Sequence, residues 1–408
     1  MARNKMLSRY ILLVLSSTFL FAWEGGQTFA ANELPTDNTI TIKQDIEYQT
    51  NDSIKANTIT GEGQSAHLTI TDGKNQEAVF IVNDGNELSV TNLNSLTILN
   101  PNKSSDGLEA TGSATIDISN VNTVNIGTKN DLFNTGGQAI HGESGFVKLH
   151  NIGDLNIYTN GQGIMAQRSV GKNPSDPSVD IQAKGNIHIE AKSNAVMAGA
   201  INNHPGTAEL KMTAGGTIDI SSQSGAAVHS FDKSGIYQSD GGPTSIDIEG
   251  AKGVSLKGDY GVYTTRAFAG TSKLNISSQG GDVYIEGSQN GLVVQSTGKA
   301  ANSKDTNITG TITGNNVTIA NTNTNSDMAA VSINNSDVTL ATNRDGGTIF
   351  LQSQSGKAAI ITKNPNSSQG SLTIGDDKHE TNFVSMVLSL LRKTQPSLSP
   401  IRRRLTST

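Results

Sequence analysis

The stretch "VDIQAKGNIHIEAKSNAVMAG", Val179 to Gly199, decides the fold. It reads as a short alternating strand, a tight turn at Gly185, a second alternating strand, a brief gap and a third apolar run. In "GNIHIE" the alternation sends Ile187 and Ile189 to one side and His188 to the other, because side chains along a strand point to opposite faces with a period of two. One side is buried and the other wet. Helical spacing is missing and β-branched residues crowd the strand positions, so the elements are strands.

The unit recurs. "GGTIDISSQSGAAVHS" begins at Gly215, "GGDVYIEGSQNGLVVQ" at Gly280 and "GGTIFLQSQSGKAAII" at Gly346. Gly185, Gly216, Gly281 and Gly347 mark the same turn in each copy, where a sharp reversal suggests positive φ. Apolar residues of the opening strand fall at Ile116, Val147, Val179, Leu210, Ile246, Leu274, Ile308, Val338 and Leu372, a mean step of about 32 residues. Three strands this short make a core only by stacking on the same strands of the next unit. The expected fold is therefore all-β: a single-stranded right-handed parallel β-helix of about 32 residues per winding. A propeller would carry an aromatic signature in each blade, and aromatic residues are only 4% of this chain.

The ends read differently. Arg3, Lys5 and Arg9 precede the apolar run "YILLVLSSTFLFAW", which is shorter than a bilayer span, and small residues follow up to Ala30. Residues 1–30 are read as a signal peptide, 31–67 as an N-terminal strand cap, 68–383 as the β-helix and 384–408 as a basic tail outside the repeat. The tail is either a truncated or out-of-frame end or a genuine one. Losing the pattern at Val384 would leave the last winding half built, with Leu372 and Ile374 exposed, unless "VSMVLSLLRKTQ" forms a short helix over it through Val387, Leu390 and Leu391. The chain has no cysteine, so an exported product would rely on its core rather than on disulfides. A net charge of −6, with much of the basic charge gathered at the two ends, argues against nucleic acid as a partner.

The export signal, the cysteine-free body and the units "GNIHIE", "GGTIDISSQSG" and "GGDVYIEGSQNG" together resemble the passenger domains of bacterial autotransporter adhesins, over roughly Ile40 to Phe383. The resemblance implies a β-helical rod displayed at the cell surface or released from it. It also implies a C-terminal membrane barrel, which is not read in this chain. The expected product is a monomeric, non-enzymatic adhesin-like passenger that binds host or matrix glycans or proteins.

Chemistry is sparse in the pattern. A β-helical polysaccharide hydrolase or lyase is the rival class, with Asp376 and Asp377 of "GDD" as its carboxylates, but companion motifs are missing and the pair reads as a solvated turn. The seven histidines are dispersed without metal-ligand spacing, so no metal, no cofactor and no catalytic residue is expected. Long connections such as "RSVGKNPSDPS" and "FDKSGIYQSDGGPTS" recur after the third strand and would project from one edge. Tyr237, Tyr260, Tyr263 and Phe268 near that edge are the candidate ligand-binding residues, because amphipathic rings suit sugar and protein recognition.

Overall fold

Backbone alternation organises the whole described chain. The computed structural model describes residues 38–387 apart from 51–56, 63–64, 73–77, 101–105, 169–177, 201–206, 232–241, 267–270, 298–307, 326 and 364–369, together with 399–400 and 403–406. The expected leader, Tyr237, Phe268 and most of the long connections lie outside these residues. Among the described residues there is no helix, and so none long and apolar enough to cross a membrane.

The strands stack as a parallel β-solenoid of about 31 residues per turn, in keeping with the period of about 32 read from the sequence. Each turn contributes to three faces. One turn runs Ser178–Ala183 on the first face, Ile187–Ala191 on the second and Val196–Ala200 on the third. Each of these pairs in parallel with its counterparts in the adjacent turns. The same pairing already operates at Thr39–Ile42 and Ile46–Thr50. In two turns the second and third strands merge into single bent strands, Gly253–Arg266 and Val283–Ser296, which pair with each other along both faces.

The core is a set of aliphatic columns. On the second face Ile98, Ile126, Ile157, Ile189, Ile220 and Leu256 are successive register partners, all fully buried. Removing each such side chain from water contributes roughly 1.5–3 kcal/mol, and the columns supply the core that the sequence lacks in aromatics. On the first face, Ile116, Val147, Val179, Leu210, Ile246 and Leu274 are register partners as the spacing suggests. The column then continues through Gly310, not Ile308, before reaching Val338 and Leu372. Ile308 instead pairs with Ser272, two residues earlier on the strand.

Charge follows the same ladder. Asp117, Lys148, Asp180, Lys211 and Asp247 occupy one outward column of the first face with signs alternating from turn to turn. Neighbours in this column lie about 4.8 Å apart, and like charges at that spacing would repel.

The turn glycines have a different cause from the one expected. Gly185, Gly216, Gly281 and Gly347 do not have positive φ; among the described turns between the first and second faces that conformation falls on Asn92, Asn120, Asn151, Gly253, Gly346 and Gly375. The four marked glycines are selected by contact with the turn below: a Cβ would overlap Asp154 at Gly185, Asn186 at Gly216, the Lys252 carbonyl at Gly281 and the Asn315 carbonyl at Gly347.

The end of the solenoid also departs from expectation. Thr381–Val387 is a strand, not a helix, in register with Gly347–Ser353. Leu372 and Ile374 are buried, at 0% and 4% exposure. Ser399–Pro400 and Arg403–Thr406 pair antiparallel with the last two parallel strands, so the backbone edge beside Leu372 is covered by chain returning from the tail. Leu390 and Leu391 lie outside the described residues.

Candidate functional site

The third face brings together what the sequence keeps far apart. Its inward positions are aliphatic: Leu108, Ile140, Ile164, Val196 and Val228 stack in register. Each is preceded by Gly or Ala, namely Gly107, Ala139, Gly163, Ala195 and Ala227. At these corners a side chain meets the second-face core; a Cβ on Gly163 would approach the Ile189 side chain to 3.1 Å. This small-then-branched pair is a signature of the third strand that alternation alone does not single out.

The other side of the face carries one continuous column: Ile81, Glu109, His141, Met165, Met197, His229, Tyr263 and Val293 are successive register partners. Two of the predicted ligand-binding residues belong here. Tyr263 lies in the column, and Tyr260 lies beside it with ring centroids 4.7 Å apart and planes tilted by 44°. Both hydroxyls are held: Tyr260 donates to Gln289 Oε1 at 2.7 Å, and Gln295 Nε2 donates to the Tyr263 oxygen at 2.9 Å. The strip continues through His229, 5.4 Å from Tyr263 and 5.3 Å from Phe231. Burial pushes the His229 imidazole down to about 4, so it is neutral at physiological pH. Tyr237 and Phe268 fall outside the described residues.

At the other end of the column stands a cluster that sequence reading missed. Asp106, Glu109 and His141 are all buried, with one potential ligand atom from each lying within 4.8 Å of the others. His141 Nδ1 is 3.0 Å from Asp106 Oδ2 and 4.0 Å from Glu109 Oε1. Burial pushes the His141 pKa down, but the Asp106 hydrogen bond and the charges of Asp106, Glu143 and Glu109 outweigh it and leave the pKa raised. The available signal was register: His141 follows Glu109 by one turn, and in a parallel ladder that makes them neighbours.

A second polar group lies on the second face. His188 Nε2 is 2.9 Å from Glu190 Oε1, its Nδ1 is 3.5 Å from Asp219 Oδ2, and Tyr158 stacks against it at 5.2 Å. Nearby, Tyr284 donates to Glu286, and Lys257 lies 5.4 Å above the Tyr284 ring. Burial, followed by the Glu286 contact, pushes the Tyr284 phenol up to about 12.

Asp376 and Asp377 do not form a facing pair. Asp376 Oδ1 accepts the N–H groups of Lys378 and His379, each at 2.9 Å, closing its own turn, while Asp377 is exposed. Burial raises the Asp376 carboxyl, but these backbone donors prevail and hold it below the usual range. Comparison with protein-family models, curated proteins and solved structures finds no match for this chain.

Proposed function

We propose that the chain is an exported, adhesin-like β-solenoid, a passenger of the autotransporter kind that works as a monomeric rod at the cell surface or after release. It holds a glycan or protein of the host or its surrounding matrix against the third face. The observation that carries this reading is the Tyr260–Tyr263 pair: two half-buried rings in contact, each with its hydroxyl fixed by a glutamine. Rings held in this way present a flat apolar surface with little entropy left to lose on binding, which suits a sugar ring or an apolar side chain. The sequence resemblance supports export and display. The depressed Asp376 carboxyl, committed to its own turn, supports a non-catalytic reading, since a general acid needs a raised pKa.

Binding of the mature chain to glycan and matrix-protein arrays tests the proposal. Tyr260→Ala and Tyr263→Ala should each weaken the ligand found by tenfold or more, about 1.4 kcal/mol, with the melting temperature kept within a few degrees. Unchanged affinity in both variants would contradict the assigned surface. Release of reducing ends or unsaturated products from uronic-acid polymers, lost in Asp376→Ala or Asp377→Ala, would replace it with a polysaccharide hydrolase or lyase.

A further inference from the structure

Asp106, Glu109 and His141 are assembled by the ladder itself. Asp106–Thr111 and Gln138–Glu143 are adjacent third-face strands with Glu109 and His141 in register, so their side chains start about 4.8 Å apart. Asp106 has one oxygen already committed: Oδ1 accepts the Gln138 N–H at 2.7 Å. The same bond is made further along the rod by Asn194, which takes the Ala226 N–H at 2.8 Å. An asparagine therefore satisfies the structural need. A carboxylate at Asp106 adds a second, charged oxygen, and that oxygen faces His141 Nδ1 at 3.0 Å.

Two further features point to a cation. Ligands at about 2.0–2.2 Å from a tetrahedral Zn²⁺ lie about 3.3–3.6 Å from one another. The separations of 3.0 and 4.0 Å from His141 Nδ1 to the two carboxylates bracket that range, so an ion needs only side-chain adjustments. Secondly, all three groups are out of bulk water, with Asp106 7%, Glu109 4% and His141 8% exposed. Two buried carboxylates against one imidazole leave acid in excess, an imbalance that a divalent cation neutralises.

We propose that Asp106, Glu109 and His141 bind one divalent transition-metal ion of the Zn²⁺ class. Imidazole with two carboxylates favours Zn²⁺ or Mn²⁺ over Ca²⁺, which takes oxygen ligands throughout. The ion joins two successive turns, a cross-link in a chain that has no cysteine to form one. Because the ligands come together only in the folded ladder, metal binding adds to folding stability.

The test uses the full mature chain, stripped with chelator and titrated with ZnCl₂ alone, with MnCl₂ and CaCl₂ as parallel arms. One equivalent of Zn²⁺ should bind and raise the melting temperature by several degrees, with Ca²⁺ at least tenfold weaker. Glu109→Gln and His141→Gln, each folded by circular dichroism, should each lose tenfold or more in Zn²⁺ affinity. His188→Gln, in the more exposed acid–histidine group, should lose none. Zinc K-edge absorption of the unmutated chain should show nitrogen and oxygen ligands including one imidazole, a readout that stands even where a variant fails to fold. Absence of Zn²⁺ binding at submillimolar concentration, equal binding in the folded variants, or a bound ion without imidazole would each overturn the proposal.

Discussion

Asn186 reaches one turn along the rod to Thr217: its Oδ1 accepts the Thr217 backbone N–H at 2.9 Å and the Thr217 hydroxyl at 3.1 Å. Its own N–H in turn donates to Asp154 Oδ1 at 2.6 Å. The relay recurs from Asp282 through Asn316 to Thr348. Side chains thus tie successive corners at these two places, and in the first of them Gly185 and Gly216 leave the space that the Asp154 and Asn186 oxygens occupy. Asn186→Ala should lower stability by about 1 kcal/mol, the scale of a side-chain bond to backbone N–H. Asn186→Asp, which keeps an acceptor, should lose less; thermal melts of both variants decide, and equal losses would remove the relay from the account.

Gly310 makes an opposite prediction. It sits in the aliphatic column between Leu274 and Val338, and a Cβ there would meet Val338 at 3.4 and 3.8 Å and Leu274 at 3.9 Å, at ordinary van der Waals separation. Gly310→Ala should stabilise the rod by about 0.5–1 kcal/mol, because its methyl group packs against Val338 and Leu274 and the unfolded chain has less freedom to lose. Gly185→Ala should destabilise it, since its Cβ would overlap Asp154. Paired melting curves test the contrast.

Two histidines should respond to pH with opposite sign. The Asp219 hydrogen bond raises His188; burial lowers it, and Glu190 and the local charges raise it further, so the net shift is upward. The stability from this group is complete below the unfolded value of about 6.5 and is lost as pH rises through the folded value. His229, held down to about 4 by burial, resists protonation when folded, so its contribution is complete above about 6.5 and is lost as pH falls towards 4. Histidine NMR titrations should place His188 above 6.5 and His229 near 4. Asp219→Asn should lower the His188 midpoint. His229→Leu should reduce the drop in melting temperature between pH 7 and 5, and a His229 midpoint at or above 6.5 would contradict the burial described.

Alternation and period carried most of the fold because each turn repeats one packing solution. They cannot fix position within a strand. In "ITGTITG" Ile308, Gly310 and Ile312 share one parity, so the pattern identifies the buried side correctly while leaving the register two residues open. Gly310 is the inward residue of its column because the next strand aligns Val338 there. The Asp106–Glu109–His141 cluster was hidden for a related reason: its members are neighbours only across turns, and spacing rules for metal ligands look within a segment. Tyr260 and Tyr263 were legible as a local cluster, yet their hydroxyl partners Gln289 and Gln295 come from the following turn. Beyond Phe383 no repeat remained to read, although Val384 still pairs with Phe350.

Successive turns of the first face stack in one continuous column from Lys148 to Thr339. Lys148, Asp180, Lys211, Asp247, Asn275, Thr311 and Thr339 follow one another along a single first-face column. Six ladder steps between Lys148 and Thr339 give a separation of about 29 Å. With no native cysteine to interfere, Lys148→Cys and Thr339→Cys can carry nitroxide labels, and double electron–electron resonance reads the distance between them. A narrow distribution centred near 29 Å, within the reach of the labels, is the predicted result; a broad distribution, or one centred beyond about 40 Å, would contradict the continuous register on which the fold and both proposed sites depend.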